Sequence, residues 1–386
     1  MLDDTLKILD DLIAFESVAL TPNLDLIDYV VNYLEPLGAR ITLTHSPDQT
    51  KANLFATLGP EGNGGIVLSG HSDVVPVDPA DWATPPFTTD YRQGRVYGRG
   101  TADMKGFIAC VLAMAPRYAA LDLKRPLHIA LTFDEEDGFH GAPILLEELV
   151  RNGPTPAAVI IGEPTGLRVV GAHKGCFEYT TTFTGMNGHS SLPDQAVSAV
   201  HYAVRFVARL LELGAALPAL APTDSPYNPP SSTVNAGVIS GGIARCTVAG
   251  DCVVEWEMRP IQDSDADFVR AELAATTESL MAEMRQVCPE ASIETETVCE
   301  VRGLALVEGS PALSLMGELL GESPVEVVSY GTEAGLYQTA GVPAVVWGPG
   351  DIEVAHKPDE SVALSDLEAC LEALEKLGLD ILTKTL

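Results

Sequence analysis

Residues 127–137, LHIALTFDEED, pass from an apolar run straight into four carboxylates, Asp134, Glu135, Glu136 and Asp137. The run has the length and character of a buried strand. A strand that ends in packed acids poses a problem, because desolvating even one unpaired carboxylate costs several kcal/mol, on the order of the usual figures for buried charge. Either the chain leaves the sheet for solvent here, or positive charge waits at the strand's end.

The first 175 residues alternate between helical and extended patterns. Residues 3–15 and 25–37 carry apolar side chains at helical spacing, with Gly38 as a stop. Short apolar runs follow (ARITLTH, NLFATLG, GIVLSG, LHIALTF, AAVIIG), with helices expected near 104–120 and 142–151. Such alternation predicts an α/β layer on a mixed, largely parallel sheet flanked by helices. From Cys176 the pattern changes: FEYTTTFTG alternates, 195–214 and 264–287 read as helices, and TVNAGVISGG and CTVAGDCVVEWEMRP read as strands. This is a smaller α+β unit. After about residue 300 the earlier grammar returns, with VEVVSY, a short helix, PAVVWGPG and a last helix over 365–380. The expectation is one α/β domain, 1–175 and 291–386, interrupted by an inserted domain over 176–290.

A chain of 386 residues fits two domains. With 54 acids against 23 bases the formal charge is −31, which leaves no basic surplus for phosphates and argues against nucleic-acid binding. No apolar run has the length of a membrane helix, and the acidic amphipathic start MLDDTLKILDDL is unlike a signal or transit peptide. A cytoplasmic location is expected. Seven scattered cysteines, an odd number without a CxxC pair, fit reduced thiols better than a disulfide framework.

Other strands also end in chemistry. GIVLSG runs into His71-Ser72-Asp73, VIIG into Glu163, and AVVWGPG leads through a loop to His356; Asp103 lies in GRGTADMKG before a helix. Ligands of open α/β sheets sit outside the carboxyl ends of the strands, so these groups face one crevice. Two histidines with three or more carboxylates suit zinc, and are too many for a single catalytic ion. Taken singly, each is ordinary: a histidine after a strand is commonly a bonded loop residue, and Asp103 suits a first helical turn.

The stretches SGHSDVVPV, W-x-x-x-P-F at 82–87, GRVYGRGTADMKG, DEE, GEPT, NGHSS and AHKPDE together resemble the dinuclear zinc aminoacylase and carboxypeptidase-like metallopeptidase family over nearly the whole chain. The resemblance implies amide hydrolysis of a small N-acyl amino acid with two zinc ions, which cobalt can replace. It implies Asp103 as the shared ligand, His71 with Glu163 on one ion and His356 with Glu136 on the other. Asp73 would accept the imidazole N–H of His71. Glu135 would take a proton from the attacking water and hand it to the leaving amine. From the inserted domain, His189 would stabilise the tetrahedral oxyanion, and Asn235 and Arg259 would bind substrate, the guanidinium suiting an α-carboxylate. Gly331 and Thr332 fall at substrate-contact positions, and Glu333 is charge-complementary to a side-chain ammonium. GTEAGLYQT departs from the family pattern after TEA, which leaves the acyl group and side chain open among deacylases, dipeptidases and carboxypeptidases. A non-catalytic cation-binding or association protein is the contrasting reading. The inserted domain would serve as a lid and homodimer surface. No role follows for Asp137 or His140.

Overall fold

The two N-terminal amphipathic segments form helices Leu2–Ala14 and Leu24–Leu34. The second tightens into a 3-10 turn, Glu35–Leu37, where Gly38 takes the left-handed conformation, φ 81°, that a residue with a Cβ resists. These are elements of a computed structural model that describes residues 1–384.

The chain divides into two compact units. The first comprises Met1–Ala172, Leu304–Glu326 and Thr332–Leu386; the second comprises His173–Gly303 and Val327–Gly331. The first is built on an eight-stranded sheet, in spatial order Arg40–His45, Ala52–Leu58, Leu127–Thr132, Ile66–His71, Ala158–Ile161, Ala344–Val346, Val169–His173, Val325–Val328. Its four central strands, from Leu127–Thr132 to Ala344–Val346, run parallel, and antiparallel pairs flank them. Leu127–Thr132 and Ile66–His71 are buried at every residue, as strands covered on both faces must be. Helix Lys105–Ala120 packs on Ile66–His71 and against the helices Leu2–Ala14 and Leu364–Lys376. Its Phe107, Val111 and Leu112 share a core with Leu9, Leu68 and Leu371, each such side chain contributing roughly 1.5–3 kcal/mol of burial.

The second unit is a four-stranded antiparallel sheet, ordered Thr233–Gly241, Asp251–Arg259, Cys176–Thr184, Ser292–Val301, with helices Ala199–Ala216 and Asp263–Met284. One face of alternating residues, including Phe177, Tyr179, Phe183 and Trp256, packs with Phe206 and Leu273 of those helices. Because Ser292–Val301 pairs with Cys176–Thr184 along its length, this unit runs on to Gly303 instead of closing near 290. Helix Pro311–Leu320 was not anticipated from the sequence. Among the described residues no helix is long and apolar enough to cross a membrane.

Candidate metal centre

Parallel pairing brings the carboxyl ends of the central strands to one edge. His71 is the last residue of Ile66–His71 and lies opposite Thr132, after which the chain continues to Asp134, Glu135 and Glu136. Ala158–Ile161 is followed by Gly162 and Glu163, and Ala344–Val346 by the loop to His356. These loops pass very close together. A Cβ on Gly162 would lie 1.9 Å from Cδ1 of Phe107, and one on Gly348 would lie 2.3 Å from the Gly162 carbonyl oxygen. Glycine at both positions is a steric requirement.

Two three-residue groups result, His71–Asp103–Glu163 and Asp103–Glu136–His356, in each of which the donor atoms lie within 4.8 Å of one another. Asp103 belongs to both. His71 Nε2 stands 3.1 Å from Asp103 Oδ1 and 3.7 Å from Glu163 Oε1, while His356 Nε2 stands 3.3 Å from Asp103 Oδ2 and 2.9 Å from Glu136 Oε2. Both imidazoles thus aim a ring nitrogen at opposite oxygens of one carboxylate. Glu136 Oε1 and Glu163 Oε1 are buried without a hydrogen-bond partner, a costly state for carboxylate oxygens.

Burial dominates the electrostatics. It raises the pKa of Glu136 to about 7, helped by Asp103, and lifts Glu135 and Glu163 well above the carboxylate range, with neighbouring acids adding to the effect. Burial alone would lower His71, but its bond to Asp103 and the charges of Glu135, Glu163 and Asp73 carry it well above 6.5. Asp103 is lowered despite burial, because both histidines bond to it. Acids this desolvated keep their protons unless positive charge is supplied. Dications supply it, and the imidazole–carboxylate donor set is the one zinc and its neighbours accept.

The supporting contacts differ from expectation at Asp73. Its backbone carbonyl, not its carboxylate, lies 3.0 Å from His71 Nδ1, and the carboxylate stands 3.8 Å away. The carbonyl therefore accepts Nδ1–H, so that once Nε2 gives up its proton its lone pair faces the cluster. The carboxylate instead accepts the backbone N–H groups of Glu135 at 3.2 Å and Glu136 at 3.1 Å. It fixes the turn that presents both glutamates.

Two further anchors were missed. The Glu360 carboxylate, fully buried, accepts from Arg99 Nη1 at 2.6 Å, Gly100 N–H at 3.0 Å, and the N–H groups of Ala102 and Asp103, each at 2.9 Å. Pairing of Ser361 with Tyr97 brings it there. Asp134, φ 51°, forms a buried ion pair with Lys51 and accepts Leu20 N–H at 2.7 Å. Asp137 and His140 are exposed and lie outside both groups.

Of the expected substrate contacts, Thr332 and Glu333 are buried in the first unit, Glu333 at 1% exposure. Burial raises its pKa to about 7, with the nearby Thr132 hydroxyl and the His71 charge opposing. Its charge is felt by Glu135 and Glu163. His189, Asn235, Arg259 and Gly331 belong to the second unit. His189 is exposed, its Nδ1 2.7 Å from Ser191 Oγ. Asn235 is exposed on the edge strand Thr233–Gly241. Arg259 bonds to Glu257 through Nε at 2.9 Å and Nη2 at 2.6 Å, and a Cβ on Gly331 would lie 3.7 Å from its Nη1.

The sequence profile of Peptidase family M20/M25/M40 matches residues 67–380. An acetylornithine deacetylase of Myxococcus xanthus is 38% identical, with 95% of each chain covered. Another, of Proteus mirabilis strain HI4320, is 33% identical over 91% of this chain and 88% of its own. The crystal structure of the M20 family metallo-carboxypeptidase Sso-CP2 from Sulfolobus solfataricus shares the fold at TM-score 0.78 and 17% identity, covering 97% and 98% of the two chains.

Proposed function

The chain belongs to Peptidase family M20/M25/M40 and is a metal-dependent hydrolase, and on that premise we propose that it hydrolyses the amide of N2-acetyl-L-ornithine to L-ornithine and acetate, a step of arginine biosynthesis. The observation that carries the reading is the pair of ligand groups sharing Asp103, with Glu135 on the turn between them and the Asp73 anchor. The substrate rests on the two deacetylases at 33–38% identity.

Two zinc ions, or cobalt in their place, would be held by His71, Asp103 and Glu163 and by Asp103, Glu136 and His356; when bound they polarise the scissile carbonyl and lower the pKa of the attacking water. Glu135 takes the proton of that water and returns it to the amine nitrogen as the C–N bond breaks. Asp73 holds Glu135 in place through its backbone. His189 donates to the oxyanion, Arg259 pairs with the α-carboxylate, Asn235 and Gly331 add polar contacts, and Thr332 and Glu333 line the inner end. The protein acts in the cytoplasm as a homodimer joined through the second unit. Support for the dimer is the edge strand Thr233–Gly241, where Val238 and Ile239 are exposed beside Ile243 at 86%.

The test is a panel with the zinc-loaded enzyme: N2-acetyl-ornithine, N-succinyl-diaminopimelate, neutral N-acetyl amino acids and dipeptides. Acetylornithine should give the highest kcat/KM. A higher value for any other compound replaces this substrate by that one. Turnover indifferent to chelation and zinc return would sink the enzymatic reading altogether. Glu333→Gln should narrow the preference for ornithine over neutral side chains, and an unchanged ratio removes Glu333 from recognition.

A further inference from the structure

Cys176, Glu178 and Cys299 form a cluster in the second unit that the hydrolytic chemistry does not use. Cys176 opens the strand Cys176–Thr184, and Cys299 lies opposite Glu178 on Ser292–Val301. Alternation puts 176 and 178 on one face, while Phe177 and Tyr179 enter the apolar core on the other. The register slips between Thr297 and Cys299, a bulge of the kind that re-aims a side chain. The two sulfurs and a Glu178 oxygen all lie within 4.8 Å of one another. Cys176 Sγ is 3.3 Å from Glu178 Oε1, and Cys299 Sγ is 3.6 Å from the Cys176 carbonyl oxygen.

We propose that Cys176, Cys299 and Glu178 bind a thiophilic divalent ion, zinc or cadmium, at a site separate from the catalytic ligands. A tetrahedral ion with metal–sulfur bonds of about 2.3 Å and metal–oxygen bonds of about 2.0 Å separates sulfur from oxygen by roughly 3.5 Å, close to the contact already present. Sulfur ligands select such ions over the harder cations that oxygen favours. Both thiols are buried, at 2% and 6% exposure, whereas the Glu178 side chain is 34% exposed and gives the ion a way in. Binding replaces two S–H bonds by two S–metal bonds and releases two protons to solvent. The two thiolates and the Glu178 carboxylate then face the dication, and the Arg259 guanidinium, paired with Glu257 at 2.6 Å, stands 3.8 Å from Glu178 Oε1 through its Nη2 and offsets part of the remaining negative charge. The neighbouring Cys299 thiol and burial hold the Cys176 thiol far above its usual range, so the site fills more readily as pH rises. A filled site would brace the two strands and stabilise the folded chain by mass action.

The experiment titrates cadmium into the full-length, reduced holoenzyme and follows the ultraviolet thiolate-to-cadmium charge-transfer band, proton release and the thermal midpoint. A band saturating at one equivalent is expected, with two protons released and a higher midpoint. Cys176→Ser and Cys299→Ser should each abolish that band, and Glu178→Gln should weaken binding at least tenfold. Cys246→Ser, which alters the exposed cysteine, should leave it unchanged. Absence of the band in the wild-type chain, or its persistence in both serine variants, overturns the proposal. So does a Cys176–Cys299 disulfide found by peptide mapping of protein kept under air, since the pair would then be a redox couple.

Discussion

Glu360 holds Asp103 by its backbone: one carboxylate oxygen, Oε1, accepts the N–H groups of both Ala102 and Asp103 at 2.9 Å. Since Asp103 belongs to both ligand groups, an acid that never touches the cluster governs both halves of it. Glu360→Gln keeps the shape but turns one oxygen into a donor facing either Arg99 or these amides. Metal affinity should fall roughly 10–100-fold, the usual cost of losing an outer partner, and both ions should weaken together. Competition with a chromophoric chelator measures this. To exclude a folding defect from the stranded Arg99 charge, the paired change Arg99→Met with Glu360→Gln should show the same loss.

Lys51 and Asp134 act on one half only. Their ion pair fixes the residue before Glu135 and Glu136, far along the chain from the Asp103 turn. Lys51→Met with Asp134→Asn removes the charges while leaving an acceptor for Leu20 N–H. Stepwise metal titration should show one affinity lowered and the other kept. Equal loss at both sites would mean that the pair supports the cluster as a whole.

Glu135 is absent from both ligand groups although its neighbour Glu136 is a member. Glu135→Gln should therefore retain the full metal content while kcat drops by about 10²–10⁴, the range for general acid–base catalysis. Metal analysis and turnover on one preparation decide it. Near-normal turnover refutes the base assignment.

The difference between Glu136 and Glu360 shows what the chain makes legible. His71, Glu136 and Glu163 could be picked out because each follows an apolar strand, and such strand ends converge in an open sheet. Glu360 stands in AHKPDE among other acids, and only the pairing of Ser361 with Tyr97 brings it to the Asp103 turn. Lys51 and Asp134 are 83 residues apart, a partnership no local pattern contains. The same limit explains Asp73. A carboxylate two residues beyond a histidine suggests a bond to the ring, yet the backbone carbonyl occupies that place. The limit of the second unit near 290 failed for a related reason: Ser292–Val301 is an ordinary alternating strand until its partner is known.

The exposed edge of the second unit should dictate assembly. Val238 and Ile239 lie on a strand whose outer side is unpaired among the described residues, and a second copy can satisfy both its apolar surface and its ladder. Val238→Lys with Ile239→Lys should halve the mass in sedimentation without loss of secondary structure. A wild-type chain that sediments as a monomer at micromolar concentration removes the dimer.

Acid stability should turn on His128. The ring stacks on Phe55 at 4.9 Å and has Thr57 Oγ1 2.9 Å from Nδ1, while Nε2 is buried without a partner. Burial first, and the Arg40 charge second, lower its pKa to about 4. Above pH 6.5 the ring is neutral in both folded and unfolded chains and pH has no effect through it. Between 6.5 and 4 the unfolded chain takes a proton that the folded one refuses, so stability falls with falling pH, by roughly 3 kcal/mol at most across that window. His128→Gln keeps a polar group of similar reach and removes the titration. Urea unfolding at pH 7 and pH 5 should show a smaller drop for the variant than for the wild type. Equal drops would assign the acid sensitivity to other groups, such as the buried His173, whose pKa burial also lowers to about 4.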